Sequence, residues 1–152
     1  RDDVVSLYDG QAYLMDGTYF IDPYFHTGEY TELQELFDIK KTNPFLKKLK
    51  LEFLSDKKLQ ITYNIGLETK TKIIKGELTK GGFQFYRNSG VFGIPWVFLI
   101  YEDERKLLYL GNDDNLIYQY YYRSYTQTFG NRDSKKVVDF IKYDRQLPLA
   151  KQ

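Results

Sequence analysis

From Phe45 onward, apolar and polar residues alternate with a period of two. Leu49, Leu51 and Phe53 interleave with Lys48, Lys50 and Glu52. Beyond Ser55-Asp56-Lys57 the alternation resumes, with Leu59, Ile61, Tyr63 and Ile65 against Lys58, Gln60, Thr62 and Asn64. Successive side chains of a strand point to opposite faces, so this pattern predicts a hairpin with one dry face and one wet face. Further strands are predicted over residues 70–79, 83–88, 94–101, 106–111, 116–126 and 137–144. Turn-forming clusters separate most of them: Lys80-Gly81-Gly82, Glu102-Asp103-Glu104, Asn112-Asp113-Asp114-Asn115 and Gly130-Asn131-Arg132-Asp133.

Before Phe45 the pattern differs. Val4, Val5, Leu7 and Tyr8 suit a short helical turn closed by Asp9-Gly10. Gly17-Thr18-Tyr19-Phe20-Ile21 reads as a first strand, ended by Asp22-Pro23 because proline cannot donate to a ladder. A short helix is expected over 31–38: Thr31 and Gln34 have capping-box spacing, and Leu33, Leu36 and Phe37 share a face. Asn43-Pro44 stops anything longer.

The strand near Tyr19, the hairpin and the six further candidates make nine, at about the 8–12-residue spacing of sandwiches and barrels. Short connections pair neighbours in chain order, and a twisted meander of this size curls rather than leave two open edges. The expected fold is therefore all-β: an antiparallel meander of about 8–9 strands closed as a barrel, with one short N-terminal helix. An open sheet wrapped on that helix, or a sandwich, is the structural rival. The chain has no internal repeat, low-complexity tract or linker, so residues 1–152 are expected to form a single domain.

Composition removes several function classes. The longest apolar run, Ile94 to Tyr101, is far short of the roughly 20 residues a transmembrane helix needs. A net charge of +1 leaves no global basic footprint for nucleic acid. The charge is nonetheless uneven. Residues 1–39 carry one basic and nine acidic groups, residues 40–80 eleven lysines against four acids, and residues 81–152 ten against eight. Lys40, Lys48, Lys50, Lys58, Lys70 and Lys72 read as solvent-facing strand positions, with a basic patch for an anionic ligand or membrane surface as the sharper alternative. The chain has no cysteine, so disulfides, thiol nucleophiles and thiolate metal sites are excluded. It opens on Arg1, with its sole methionine at Met15. Removal of an N-terminal signal is the expectation, and with it export to the periplasm or cell surface; a trimmed arm or tag is the competing reading, and a cytoplasmic place stays compatible with it.

No catalytic or metal-binding set emerges. The only histidine, His26, cannot supply a multi-histidine metal site, and no nucleophile-elbow motif accompanies it. Gly90-Val91-Phe92-Gly93 lacks the lysine and hydroxyl of a phosphate-binding loop. Asn112 and Asp114 could hold calcium weakly, yet the twelfth position counted from Asn112 is Arg123 rather than glutamate. The acidic clusters read as solvated turns, and no cofactor is implied.

The unusual feature is aromatic. Tyrosine numbers 15 and phenylalanine 11, beside the single Trp96. The run from Ile117 to Tyr125 loads both faces of one strand, with Tyr118, Tyr120 and Tyr122 on one side and Tyr121 and Tyr125 on the other. If the first set points inward beside Tyr63, Phe85, Trp96 and Phe98, flat apolar walls with a few hydroxyls result, the usual make-up of a small-molecule pocket. The expected ligand-binding residues are therefore Tyr63, Phe85, Trp96, Phe98, Tyr118, Tyr120 and Tyr122. The bland alternative is that these aromatics fill the core. Residues 88–96, with Gly90 and Gly93, are expected to form a flexible connection that either covers the mouth or plugs one end with Phe92.

The short N-terminal segment, the Gly-x-aromatic start at Gly17-Thr18-Tyr19, the meander and the late strand near Tyr143-Asp144-Arg145 together resemble the lipocalin or wider calycin group. That resemblance implies carriage of a small hydrophobic molecule, with Gly17, Tyr19 and Arg145 closing the barrel bottom rather than touching ligand. The leading expectation is a non-enzymatic binding module for a small apolar or aromatic molecule. The alternative is an exported interaction protein with a filled barrel and a tyrosine-rich face for glycan or protein.

Overall fold

Strands follow the predicted order from Lys48 onward, and the last four are longer than the turn signals imply. The structure, a computed structural model, describes residues 3–41, 44–94 and 96–148. Its strands are β1 (Val4–Val5), β2 (Gly17–Phe20), β3 (Phe25–His26), β4 (Lys48–Ser55), β5 (Lys58–Ile65), β6 (Glu68–Lys75), β7 (Glu77–Thr79), β8 (Gly82–Ile94), β9 (Phe98–Gly111), β10 (Leu116–Thr128) and β11 (Asn131–Tyr143). All pairings are antiparallel. Among the described residues the ladders make two sheets and do not close into a ring. One runs β2-β4-β5-β6; the other runs β3-β11-β10-β9-β8-β7, with β1 also paired to β9.

The dry faces of the two sheets meet. Leu49, Leu51 and Phe53 of β4 and Leu59 and Ile61 of β5 pack with Phe83, Leu108, Tyr118 and Ile141 of the larger sheet, and Met15, Leu33 and Phe37 complete the cluster. The predicted wet and dry alternation of β4 and β5 is what the structure contains. At one seam, Tyr19 bridges to Arg145, the Phe20 N–H donates to Asp144 O (2.9 Å) and the Gln146 N–H donates to Thr18 O (2.7 Å). At the other, the chain passes from β6 to β7 through Gly76. A Cβ there would lie 2.5 Å from Gln84 O, so the approach requires glycine. The expected 70–79 strand is accordingly broken.

Two expected loops are not loops, and a third is shorter than expected. Glu102-Asp103-Glu104 lies inside the continuous strand β9. Asp103 is only 5% exposed, and it accepts from Arg105 Nη2 (2.9 Å) and Nε (3.1 Å), with Arg87 Nε at 3.7 Å. On the opposite face, the Tyr120 hydroxyl donates to Glu104 (2.5 Å) and that of Tyr122 to Glu102 (3.3 Å). Each carboxylate has a partner, which removes the cost of placing acids in mid-sheet. Residues 88–94 continue β8 rather than forming a flexible connection, and Pro95 lies outside the described residues. After β10 only Phe129 and Gly130 turn, Gly130 with φ 84°, and Asn131 already pairs with Thr128. The Lys80-Gly81 turn is as expected, with both residues at positive φ, as a tight two-residue hairpin requires.

The N-terminal segment is also corrected. Val4–Val5 is a short strand against β9, not a helical turn. The helix expected over 31–38 is a five-residue 3-10 turn, Leu33–Phe37. Its cap is Glu32, whose N–H donates to Glu35 Oε2 (2.7 Å) in a capping box, rather than Thr31, whose hydroxyl turns back to Glu29 O (3.5 Å). Asp38 ends it in a left-handed conformation, before the expected Asn43-Pro44 stop, of which Asn43 lies outside the described residues. Among the described residues no helix is long and apolar enough to cross a membrane.

Tyr19 is fully buried at the seam. Its hydroxyl donates to Met15 O (2.6 Å) and accepts from Arg145 Nη2 (2.7 Å), and the guanidinium lies 5.2 Å from the ring centroid. Gly17 completes the group: a Cβ on it would lie 3.2 Å from Arg145 Cδ. Burial pushes the Tyr19 phenol from 10.0 up to about 12, against the lowering effect of Arg145. The unfolded chain therefore releases this proton at a lower pH than the folded one. The stabilisation is complete below pH 10.0 and is lost as pH rises through about 12. Denaturant midpoints measured across that window should fall for the wild type. The slope for Tyr19→Phe should be shallower by about one proton.

Candidate ligand-binding cleft

Alternation along β10 sets Tyr118, Tyr120 and Tyr122 on the core side of the large sheet. Tyr118 stands between Leu108 and Ile141, Tyr120 between Lys106 and Asp139, and Tyr122 between Glu104 and Val137. Tyr121 takes the outer face, where Arg105 and Lys136 lie 5.8 and 5.9 Å from its ring centroid. The segment from Thr27 to Leu36 crosses in front of the inner row and leaves a cleft of about 400 Å3. Tyr118, Tyr120, Ile141 and Leu36 supply its apolar walls, and Glu29, Glu35, Asp139 and Lys106 its charged groups.

Backbone and side-chain hydrogen bonds hold the crossing segment. The Thr27 N–H donates to Phe140 O (2.8 Å), and the Phe140 N–H returns to Thr27 Oγ1 (2.8 Å), which itself donates to Asp139 Oδ1 (3.2 Å). Further along, the Tyr143 hydroxyl donates to Thr31 O (2.7 Å). Gly28 makes the bend, with φ 72° and so little room that a Cβ would lie 2.7 Å from Asp139 Oδ2. His26 belongs to this bend, its Nδ1 3.0 Å from Gly28 O and its ring edge-on to Tyr30.

Beneath the cleft the interior is occupied. Phe37, Phe85 and Tyr118 form a run of ring contacts, with centroids 5.3 Å apart for the first pair and 6.1 Å for the second. Burial pushes the Tyr118 phenol well above its ordinary value, with Tyr120 and Glu104 adding to the shift. The Tyr120 phenol is also pushed well up, first by burial and then by its hydrogen bond to Glu104. Both phenols therefore hold their protons more tightly than an exposed tyrosine does, and the Tyr120 proton is committed to Glu104.

Of the seven residues expected to bind ligand, Tyr118 and Tyr120 line this cleft. Phe85 lies directly beneath it, and Tyr63 packs at the margin of the core. Tyr122 is one pair further out, bonded to Glu102. Trp96 and Phe98 are elsewhere. They lie at the far hairpin end, where Phe98 pairs with Ile94, nine residues along β8 from Phe85 and on the order of 30 Å away at strand spacing. The expected grouping of Trp96 and Phe98 with Tyr63 and Phe85 is not formed.

The charged lining escaped the sequence reading. Asp139 carried a signal: it occupies the same face as Val137 and Ile141, an acid at an inward strand position. Lys106 likewise shares a face with Leu108. Glu29 and Glu35 carried none, since the folding of the crossing segment alone brings them to β10. Among the described residues no group of three or more His, Asp or Glu side chains is placed to hold a metal ion.

Gly28→Ala should strain the bend and push Asp139 aside, costing about 1–2 kcal/mol. Hydrogen exchange would locate the effect. The Thr27 and Phe140 amides should lose protection while those of β4 and β5 keep theirs.

Comparison with family models, curated proteins and solved structures found no match to this chain.

Proposed function

We propose that this protein is a non-enzymatic binder of a small molecule with a flat apolar or aromatic body, received in the cleft over Tyr118 and Tyr120. The observation that carries this reading is the cleft itself. Its volume of about 400 Å3 falls in the range of small-molecule sites, and it combines aromatic and aliphatic walls with a few convergent polar groups.

The fold reading that accompanies it is a lipocalin-like barrel opened into two sheets. Its support is the meander order and the Gly17, Tyr19 and Arg145 cluster at the seam, the three residues which that resemblance assigns to closing one end. Because Phe37 and Phe85 occupy the interior, the ligand rests in the mouth above the core and not in a hollow barrel.

The rim narrows the ligand class. Glu29, Glu35 and Asp139 oppose the single Lys106, so an anionic head would meet like charge while an amine would meet complementary charge. An aromatic amine fits, and an aromatic carboxylate does not.

The neutral fluorophore N-phenylnaphthylamine should brighten on adding the protein, and tryptamine should displace it at least about tenfold better than indoleacetate. Leu36→Trp fills the cleft from its exposed side and should abolish fluorophore binding with the thermal midpoint retained. Glu35→Gln should reduce the preference for the amine. Binding undiminished by Leu36→Trp, or equal competition by amine and carboxylate, contradicts the reading.

A further inference from the structure

Beyond the cleft, strands β8 to β11 run on together as an arm that no second sheet covers. It ends in two adjacent turns. Phe98 pairs with both Ile94 and Thr128, so the β8–β9 turn and the β10–β11 turn lie side by side. Trp96 stands at the apex of one, 94% exposed, and Phe129 at the apex of the other, 93% exposed. Behind Trp96 the exposure of large apolar groups continues through Val91, Phe92, Ile94, Val97 and Leu99. From Ser89 to Tyr101 the sequence has no charged residue.

We infer that this arm end is a membrane-docking tip that seats in the headgroup region of an anionic lipid surface. Three features select lipid over a protein partner. First, the apolar groups occupy both faces of the sheet. Register places Val91 and Leu99 on the outer face and Phe92 and Ile94 on the inner one. A protein seated on one face would leave the other wet, whereas lipid surrounds the tip.

Second, charge behind the tip is segregated by face. The outer face carries Arg87, Arg105, Arg123, Arg132 and Lys136 against Asp103 alone, while on the inner face Lys106 and Lys135 face Glu102, Glu104, Asp133 and Asp139. Arg132 follows three residues after Phe129, at the level anionic headgroups would occupy, and Lys136 lies four residues further back on the same face. The outer face therefore leans on the surface, and the acidic cleft face turns away from it.

Third, the edges limit depth. β7 covers β8 only as far as Gln84, and β3 covers β11 only at Ile141 and Lys142. Unpaired edge groups are costly in hydrocarbon, so the tip enters shallowly, by about 5–10 Å, and does not span. Trp96 suits that depth, having an apolar body and one polar N–H.

The turn itself marks Trp96 as placed for something other than folding. The Val97 N–H donates to Ile94 O (3.0 Å), and Trp96 takes φ 82°, a conformation that favours glycine and strains a bulky residue. Nothing in the core depends on the indole.

The single tryptophan reports its own environment. With phosphatidylcholine vesicles containing phosphatidylserine, the emission of the wild type should shift to the blue and the protein should cosediment. Phosphatidylcholine alone should bind it less, and added salt should release it. Trp96→Gly relieves the turn, so its thermal midpoint should hold or rise while cosedimentation falls at least about tenfold. Phe129→Ser provides a second apex variant with the tryptophan reporter intact. Arg132→Glu with Lys136→Glu should reduce binding to the anionic vesicles only. Absence of a vesicle-dependent blue shift, or undiminished binding by Trp96→Gly, overturns the inference. So does a blue shift that grows with protein concentration without lipid, with a dimer in sedimentation velocity, which would assign the tip to a second copy of this chain.

Discussion

Register in the β8–β11 sheet decides what every functional side chain of this protein can touch. A slip of one residue would exchange the two faces, turning Tyr118 and Tyr120 out and Tyr121 and Arg123 in. Two features hold the register against such a slip. The inner face buries Phe83, Leu108, Tyr118 and Ile141, which can only be satisfied against β4 and β5. The outer face buries Asp103, whose carboxylate needs Arg105 and Arg87 beside it. A bulge between Gln84 and Tyr86 makes these demands compatible. Uninterrupted alternation would send Arg87 inward with Phe83 and Phe85; the extra residue sends it outward to Asp103 and leaves Tyr86 on the inner side, over Lys106.

The position of the cleft follows from how the core is filled. Phe53 meets Phe83 edge-on, and Phe37 and Phe85 continue the aromatic column up to Tyr118. Among the described residues lining the cleft none belongs to the small sheet, and the Thr27–Leu36 segment is held off β10 by its own bonds to Asp139, Phe140 and Tyr143. Space is left where packing stops, so the cleft is a margin of the core and shares Tyr118 with it. The far seam works in the opposite sense: Arg145 covers the Tyr19 ring, and Gly17 lets the two approach.

Much of this was legible along the chain where a single rule governed the residues. The β4–β5 hairpin has one buried and one solvated face, so its alternation is clean. That Tyr118, Tyr120 and Tyr122 share one face of β10 followed from the same period of two, whereas which face turns inward did not. The failures occurred where partners are remote in sequence. Glu102-Asp103-Glu104 has turn composition, and only Tyr120, Tyr122 and Arg87, supplied by neighbouring strands, make it strand. Residues 88–94 show no alternation because neither face of the arm is buried there, so a strand and a loop look alike. Phe25–His26 was too short to register, its pairing depending on β11. Trp96 was grouped with the pocket aromatics by residue type alone. Chain position already placed it between two strands, at a turn.

The two faces of one sheet thus carry different chemistries at different distances from the core. Near the core, the inner face is aromatic with an acidic rim, and its phenols are held neutral by burial. Farther out, the ladder continues for seven or more residue pairs with no second layer to cover it, from Asn88 opposite Glu104 to Ile94 opposite Phe98. A folded chain gains little hydrophobic stabilisation from such an extension, since its apolar groups stay in water. The cross-strand hydrogen bonds and the Asp103 ion pairs hold its strands together, and their length carries Trp96 and Phe129 away from the body of the protein. An extension that contributes so little to the core, ends in uncharged apolar turns and holds a tryptophan in a strained conformation is accounted for by what it meets outside the molecule.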